Sequence, residues 1–241
     1  MEIKQYTDKL IVANLTLDDL AQEDTDTLFP ENVSQELQKV TNIRVSIPPT
    51  ADKIRLKLLR ENYVFADRMF DTSINLRNNH VDFEKWVRID TELYDGKEVR
   101  DAIREIAHTS FTRDRRFHVG EKLNQNQANI IMDTWIDELP NFFVCHCKED
   151  CAGFLALQEK GNRSAYVHMA AVAAKYRPAG VALSMYAYVV NNCLKQGYKS
   201  VTGYVSSGNT PIINLYRFLG ASFDVVTDIF LKETDYIHNS L

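Results

Sequence analysis

The sequence predicts an α/β protein in which a mixed, mostly antiparallel sheet is flanked by helices, with a smaller α/β subdomain in front. Three observations lead to this class. Residues 41–76 alternate as strand, helix and strand, residues 142–158 form an apolar hairpin pattern, and residues 165–223 follow the order strand, small-residue loop, helix, strand, loop, helix. Strands and helices that alternate in this way indicate a sheet covered by helices.

Composition sets limits on the class of protein. The 241 residues suit one large domain or two small ones, and 45% of them are hydrophobic, which is enough for a core. The net charge of −5 argues against a nucleic-acid partner, which requires a basic surface. The apolar runs are too short for a membrane span, and the N-terminus has no long apolar core of a signal peptide. We therefore expect a cytoplasmic protein without a membrane partner.

Residues 1–80 are predicted to form the front α/β subdomain. Short helices are expected near 15–20 and 32–40 in an otherwise polar stretch. Strand 41–47 is ended by Pro48, a helix begins after Thr50 and stops near Asn62, and strand 63–76 follows. Polar residues 77–81 read as a linker, which places a domain boundary near residue 80.

Residues 81–241 are predicted to form the main domain. Its expected elements are a strand at 86–89, a helix at 97–108, an amphipathic helix at 127–139, hairpin strands at 142–147 and 151–158, a strand at 164–172, a helix that reaches about 196 and is ended by Gly197, a strand at 198–205, a helix at 210–220 and a last strand at 223–231.

Three of the four cysteines, at 145, 147 and 151, surround His146 and raise the alternative of a metal site. The spacing Cys-x-Cys-x3-Cys is not a usual zinc pattern, and the same residues fit a hairpin with a turn at 148–150. We therefore predict no metal and, in a reducing compartment, no disulfide.

A basic and aromatic segment spans residues 110–120, which contain Arg113, Arg115, Arg116 and Phe117. It fits a solvated loop whose Phe side chains enter the core. It also fits a binding loop for an anionic substrate, because arginine suits two-pronged phosphate contacts.

The loop from Arg177 to Ala182 opens directly into a helix. Backbone N–H groups and the positive end of the helix dipole converge at such a point, which favours an anion and most often phosphate. A tight small-residue turn without a ligand is the alternative.

Two patterns occur in order around this loop: Arg177-x-x-Gly180-x-Ala182, then Asn209-x6-Tyr216 followed by Leu219-Gly220 and, loosely, Phe223. Over residues 83–232 the chain thereby resembles the GCN5-related N-acetyltransferase (GNAT) superfamily. The resemblance implies acetyl-CoA as co-substrate and acyl transfer to an amine, with Tyr216 as the catalytic acid that protonates the departing thiolate.

The resemblance also implies which residues hold acetyl-CoA. The pantetheine would pair with the strand that ends at Ala171, Val172 and Ala173, and Asn209 would steady the cofactor arm. The pyrophosphate would lie at the signature loop, at Arg177, Ala179, Gly180, Val181 and Ala182. Pro178 has no N–H and removes one donor from this loop. The general base stays open among His168, His118, Asp114 and Glu121.

The front subdomain and the arginine segment resemble the bacterial dTDP-fucosamine and related nucleotide-amino-sugar N-acetyltransferases. This resemblance implies a nucleotide-linked 4-amino sugar as acceptor and suggests a homodimer. The acceptor-binding residues would be Arg113, Arg115, Arg116, Phe117 and His168. Two alternatives stay open: acetylation of a peptide, protein or small amine, and a non-catalytic acyl-CoA-binding module, which Pro178 favours.

Overall fold

A computed structural model describes residues 1–21, 27–94, 99–111 and 125–234. The described chain forms two compact units. The first contains residues 1–21, 27–69, 125–131 and 226–234, and the second contains residues 70–94, 99–111 and 132–225.

The strands of the described part are β1 (Glu2–Thr7), β2 (Leu10–Thr16), β3 (Asn42–Ile47), β4 (Val64–Asn75), β5 (Asp90–Tyr94), β6 (Phe142–Cys147), β7 (Asp150–Lys160), β8 (Ser164–Val172), β9 (Ser200–Ser206) and β10 (Ala221–Glu233). The α-helices are α1 (Glu31–Leu37), α2 (Asp52–Arg60), α3 (Arg100–Ser110), α4 (Gln125–Glu138), α5 (Val181–Lys195) and α6 (Thr210–Phe218). Short 3-10 turns cover Leu17–Asp19, Glu84–Trp86 and Ala174–Ala179.

The first unit is built on β1, β2, β3 and the C-terminal part of β10, which neighbour one another in that order. β2 and β3 are parallel, and the other two pairs are antiparallel. Its core combines β3 with one face of α2, where Ile54 and Leu58 are buried. Asp228 on β10 is also buried and accepts hydrogen bonds from Arg55 and Arg68, so its charge is paired inside the unit.

The second unit is a mixed sheet with the order β4-β9-β8-β7-β6-β5. β5 to β8 are antiparallel neighbours, and β9 joins β8 in parallel. Helix α5 is apolar around most of its circumference and lies in the core with Val181, Met185 and Val189 buried. The predicted mixed sheet flanked by helices is confirmed.

Two expectations about local structure were wrong. The predicted helix at 15–20 is the end of β2 and a 3-10 turn, because Leu10, Ala13 and Leu15 are buried on a strand that pairs with β1. The predicted strand at 86–89 is a 3-10 turn and a connection to β5. The Ser184 hydroxyl accepts hydrogen bonds from the amides of Arg88 and Ile89 at 2.9 Å and so holds this connection against α5.

Strands β4 and β10 each contribute residues to both units, and residues 70–80 belong to the second unit. The boundary near residue 80, between a front subdomain at 1–80 and a main domain at 81–241, stays a prediction. Within the described residues, none of the helices combines the length and the apolar character that crossing a membrane requires.

Candidate active site

A slot opens between β8 and β9. The two strands pair in parallel from Ser164 with Ser200 to Val167 with Gly203, and in the described chain the pairing ends there although both strands continue. The remaining residues of β8 and β9 therefore do not pair with each other, and we call the interval between them the slot. Gly203 lies at the closed end of the slot.

A β-bulge on β8 marks the point where this pairing ends. Ala156 pairs with Met169 and Leu157 pairs with Val167, so His168 is an extra residue opposite β7. Its ring lies 5.6 Å from that of Trp135 and 6.2 Å from that of Tyr166, edge to face in both cases. His168 therefore lies near the closed end of the slot, in contact with the rings of Trp135 and Tyr166.

Alternation along β8 determines which amides face the slot. The Ala173 amide donates to Ala152 of the neighbouring hairpin strand, and the register places Val172 opposite Gly153. Because hydrogen-bonded and non-bonded pairs alternate in antiparallel sheets, Ala171 also turns toward β7, while Ala170 and Val172 turn toward the slot. The Val172 carbonyl accepts from Arg177 Nε at 3.1 Å. Ala170 is thus a slot residue that the sequence did not suggest.

The loop at the mouth of the slot is ordered by side chains on both sides. Lys175 and the Tyr176 hydroxyl both bind Asp150, and Arg177 also donates to the Ser110 hydroxyl. A hydrogen bond to Asp150 raises the pKa of Tyr176. Hydrogen bonds from Lys175 and Tyr176 lower the pKa of Asp150. These contacts hold the 3-10 turn that leads into α5.

Gly180 adopts a left-handed conformation, with φ of 73°, and is the N-cap of α5. Among the described residues, no side chain caps this helix, and no atom outside the two chain neighbours lies within 4 Å of the point where a Gly180 Cβ would stand. The amides of the first turn therefore point out of the helix start without an internal partner. Val181 and Ala182 belong to the helix itself. Pro178 lies in the preceding 3-10 turn, so the N–H that it lacks is not one of those in the first turn of α5.

Asn209 is the N-cap of α6, and its side chain accepts a hydrogen bond from the Ile212 amide at 3.3 Å. Pro211 occupies the first turn of this helix, where its missing N–H costs nothing. The cap fixes where α6 begins and therefore the position of Tyr216, which lies two turns further along the helix.

The Tyr216 hydroxyl lies against Gly203 at the closed end of the slot. A Cβ built on Gly203 would stand 2.4 Å from this hydroxyl and 3.1 Å from Thr72 Oγ1. Burial raises the pKa of Tyr216 to about 12, while the hydroxyls of Tyr186 and Thr72 lower it. The Tyr216 and Tyr186 rings pack edge to face with centroids 5.6 Å apart. The glycine thus provides the space that the phenol occupies.

A cavity of about 330 Å³ reaches Thr202 and Gly203. Its polar lining comes from four strands and from the end of β7, namely Asp71, Thr72, Ser73, Lys160, Tyr166, Thr202 and Asp224. Lys160 Nζ lies 3.9 Å from the centre of the Tyr166 ring. Partial burial and the charge of Asp224 raise the pKa of Asp71, although Asp71 keeps an exposed edge and Lys160 opposes the shift.

The second unit brings together most of the residues that the sequence singled out. Ala171, Val172, Ala173, Arg177, Gly180 and Asn209 lie along or beside the slot, and Tyr216 and His168 lie near its closed end. Their roles stay predictions. Arg113, Arg115, Arg116 and Phe117, with the base candidates His118, Asp114 and Glu121, lie outside the described residues.

The cysteine hairpin is a pair of sheet strands, as predicted. Cys145 is buried and its thiol contacts the Thr91 hydroxyl at 2.9 Å, and burial raises its pKa to about 11. All four thiols are free. Over the described ranges, no group of three or more His, Cys, Asp or Glu residues has a metal-binding arrangement, and the expectation of no metal stays a prediction.

A model described as "Acetyltransferase (GNAT) family" matches residues 100–221, about half of the sequence, and the chain therefore belongs to that family. GNAT acetyltransferases use acetyl-CoA as co-substrate and bind a small-molecule acceptor. No curated protein matches the sequence significantly.

Solved structures of similar fold share little sequence with this chain. A functionally unknown conserved protein from Staphylococcus epidermidis is 12% identical, with a TM-score of 0.65 over 85% of this chain and 78% of that chain. A GCN5-related N-acetyltransferase from Sphaerobacter thermophilus is 13% identical, with a TM-score of 0.58 over 83% of this chain and 64% of that chain. One from Kribbella flavida is 10% identical, with a TM-score of 0.56 over 86% and 75%. At these identities the likeness concerns the fold alone.

Proposed function

We propose that the protein is an acetyl-CoA-dependent N-acetyltransferase whose reaction takes place at the closed end of the slot between β8 and β9. The end of the pairing between the two strands after Val167 and Gly203 carries this proposal. It leaves the amides of Ala170 and Val172 free to pair with an extended ligand as an added strand would. At the mouth, the uncapped first turn of α5 suits the pyrophosphate.

Acetyl-CoA supplies an activated acetyl group as a thioester. A neutral amine attacks the carbonyl carbon, an N–C bond forms, the C–S bond breaks, and the electron pair leaves with sulfur, while the amine loses a proton to a base or to water. An amide of β8 that faces the slot suits the developing oxyanion. The Tyr216 hydroxyl, at the same end of the slot, suits the departing sulfur.

The acidity of Tyr216 decides what it can do for that sulfur. A free thiol has a pKa of about 8.5, whereas burial raises the pKa of Tyr216 to about 12. Full transfer of the proton from this phenol to a thiolate in water is therefore unfavourable. A thiolate held at the closed end of the slot is itself desolvated, which reduces the difference between the two pKa values. We propose that Tyr216 keeps its proton and stabilises the leaving thiolate by donating a hydrogen bond.

For the acceptor, the arginine segment supports a nucleotide-linked amino sugar, because Arg113, Arg115 and Arg116 suit a pyrophosphate and Phe117 suits a base. A panel of amino-sugar nucleotides, peptides and polyamines, each incubated with acetyl-CoA and the full chain, tests this. We expect acetylated sugar as the main product. Acetylation of the peptides or polyamines with none of the sugars would overturn this acceptor.

The cavity beside Gly203 favours a second candidate, a small amine or peptide amine with a positive charge. Its described lining contains two carboxylates, those of Asp71 and Asp224, and one ammonium, that of Lys160. A cationic acceptor is complementary to this balance, whereas an anionic nucleotide is not.

If the acceptor is cationic, Asp224→Asn is expected to raise its KM by up to about fivefold, because one of two carboxylates that attract it is lost. Asp224 is exposed, and an exposed charge pair is worth about 0.2–1 kcal/mol. The effect decreases with added salt. Asp90→Asn is the matched control, since it removes the same charge from an exposed position on β5. An equal change in both variants, or no change in either, would favour the nucleotide sugar instead.

A further inference from the structure

Thr72 places a hydroxyl next to Tyr216 without an evident structural use for it. Thr72 is 1% exposed, and within the described chain its Oγ1 has no hydrogen-bond partner of acceptable geometry. Leaving a buried hydroxyl unpaired costs about 1–3 kcal/mol. A valine would fill the same space without that cost, so the hydroxyl at this position requires another explanation.

The surroundings of Thr72 supply one. Its Oγ1 and the Tyr216 hydroxyl converge on the same side of Gly203, at 3.1 Å and 2.4 Å from where a Cβ would stand. From the other side, Tyr186 on α5 interacts with the Tyr216 hydroxyl, and all three side chains are at most 3% exposed. Three hydroxyls from β4, α5 and α6 therefore meet at the closed end of the slot.

The number of protons limits how these hydroxyls can bond. A phenol has one proton to donate and can accept through its oxygen. When a ligand in the slot accepts a hydrogen bond from Tyr216, the Tyr216 oxygen can accept from Tyr186 and from Thr72, whose hydroxyl has no well-formed bond among the described residues without the ligand. Burial and the contact with Tyr216 raise the pKa of Tyr186, so Tyr186 keeps the proton that it donates.

We propose that Thr72 and Tyr186 are positioning residues that direct the Tyr216 proton into the slot and strengthen Tyr216 as a donor to the leaving thiolate. This inference rests on the proposed acetyltransferase function. Both residues act through Tyr216 and have no contact of their own with the reacting atoms. No bond of either residue is made or broken, and the Tyr216 proton stays on its oxygen.

The test compares Thr72→Val with Thr72→Ser in the full chain. Thr72→Val is expected to lower kcat about tenfold and to leave the KM for acetyl-CoA within about twofold, because a hydrogen bond to a group that becomes partly charged is worth about 1.5–3 kcal/mol. Thr72→Ser restores most of kcat. Thermal unfolding of Thr72→Val is expected at the wild-type temperature or above it, since an unpaired buried hydroxyl is removed.

A double-mutant cycle separates positioning from packing. On a Tyr216→Phe background, Thr72→Val is expected to change kcat by less than about twofold, because the group through which it acts is gone. Tyr186→Phe follows the same pattern. An equal loss of kcat in both backgrounds, or a loss accompanied by lower thermal stability, would overturn the role of Thr72. A wild-type protein that acetylates no amine would contradict the acetyltransferase function itself and the role of Thr72 with it.

Discussion

Tyr216→Phe lowers kcat at least about a hundredfold and leaves the affinity for acetyl-CoA within about twofold. The substitution removes the hydrogen bond that we propose Tyr216 donates to the leaving sulfur, and a donor aimed at developing charge contributes about 10²–10³ in rate. The ring remains in place and keeps its packing against Tyr186. Steady-state kinetics give kcat, and calorimetric titration with acetyl-CoA gives the affinity.

The pH dependence of turnover adds a second expectation for Tyr216. Because burial raises its pKa to about 12, the phenol stays protonated throughout the usual assay range. Loss of activity between pH 7 and pH 9, if observed, therefore belongs to another group. Tyr198→Phe, which removes a phenol from the connection between α5 and β9, is the matched control. If Tyr216→Phe and Tyr198→Phe have the same kcat, Tyr216 has no role in the reaction.

Gly203→Ala abolishes most turnover, and it also destabilises the fold. Its Cβ would stand 2.4 Å from the Tyr216 hydroxyl, which belongs to a buried, rigid ring, and 3.1 Å from Thr72 Oγ1. Overpacking of this kind costs about 1–3 kcal/mol. The ring has to move out of the slot end, so we expect kcat to fall by about as much as in Tyr216→Phe, as measured by the same assay.

Gly161→Ala is the control for this substitution, because a Cβ at Gly161 meets no atom of the described residues within 4 Å. It is expected to retain both stability and turnover. Combining Gly203→Ala with Tyr216→Phe removes the closest contact, since the hydroxyl is gone. The double variant should therefore recover part of the lost stability but none of the activity; recovery of neither would show that the clash lies elsewhere.

Apart from the strand expected at 86–89, the sequence predicts the elements of the second unit well, because their signals are local. The limits of β8 agree with the expected strand, and Gly197 ends α5 with a positive φ of 80°. The front of the chain was harder to interpret. All four of Ile54, Leu56, Leu58 and Leu59 on α2 are apolar, yet Leu56 and Leu59 are 54% and 47% exposed, because the core contacts Ile54 and Leu58 instead. Which apolar residues are covered depends on distant strands and leaves no local signal.

The sequence predicted those site residues that belong to a motif with regular spacing. Arg177, Gly180, Asn209 and Tyr216 follow a pattern within 40 residues that their order along the chain reveals. Thr72 lies on a strand from the front of the sequence that becomes the neighbour of β9, and such pairing is not encoded locally. Gly203 did carry a signal: a single glycine inside a strand often marks a close approach by another group.

The slot itself is the central claim, and amide-resolved hydrogen exchange tests it most directly. On addition of acetyl-CoA, the amides of Ala170 and Val172 are expected to become protected by about tenfold or more, because they gain a partner in the slot. The amides of Ala171 and Ala173, which already face β7, are expected to change little. Binding of acetyl-CoA that protects all four amides alike, or none of them, would contradict a cofactor held between β8 and β9.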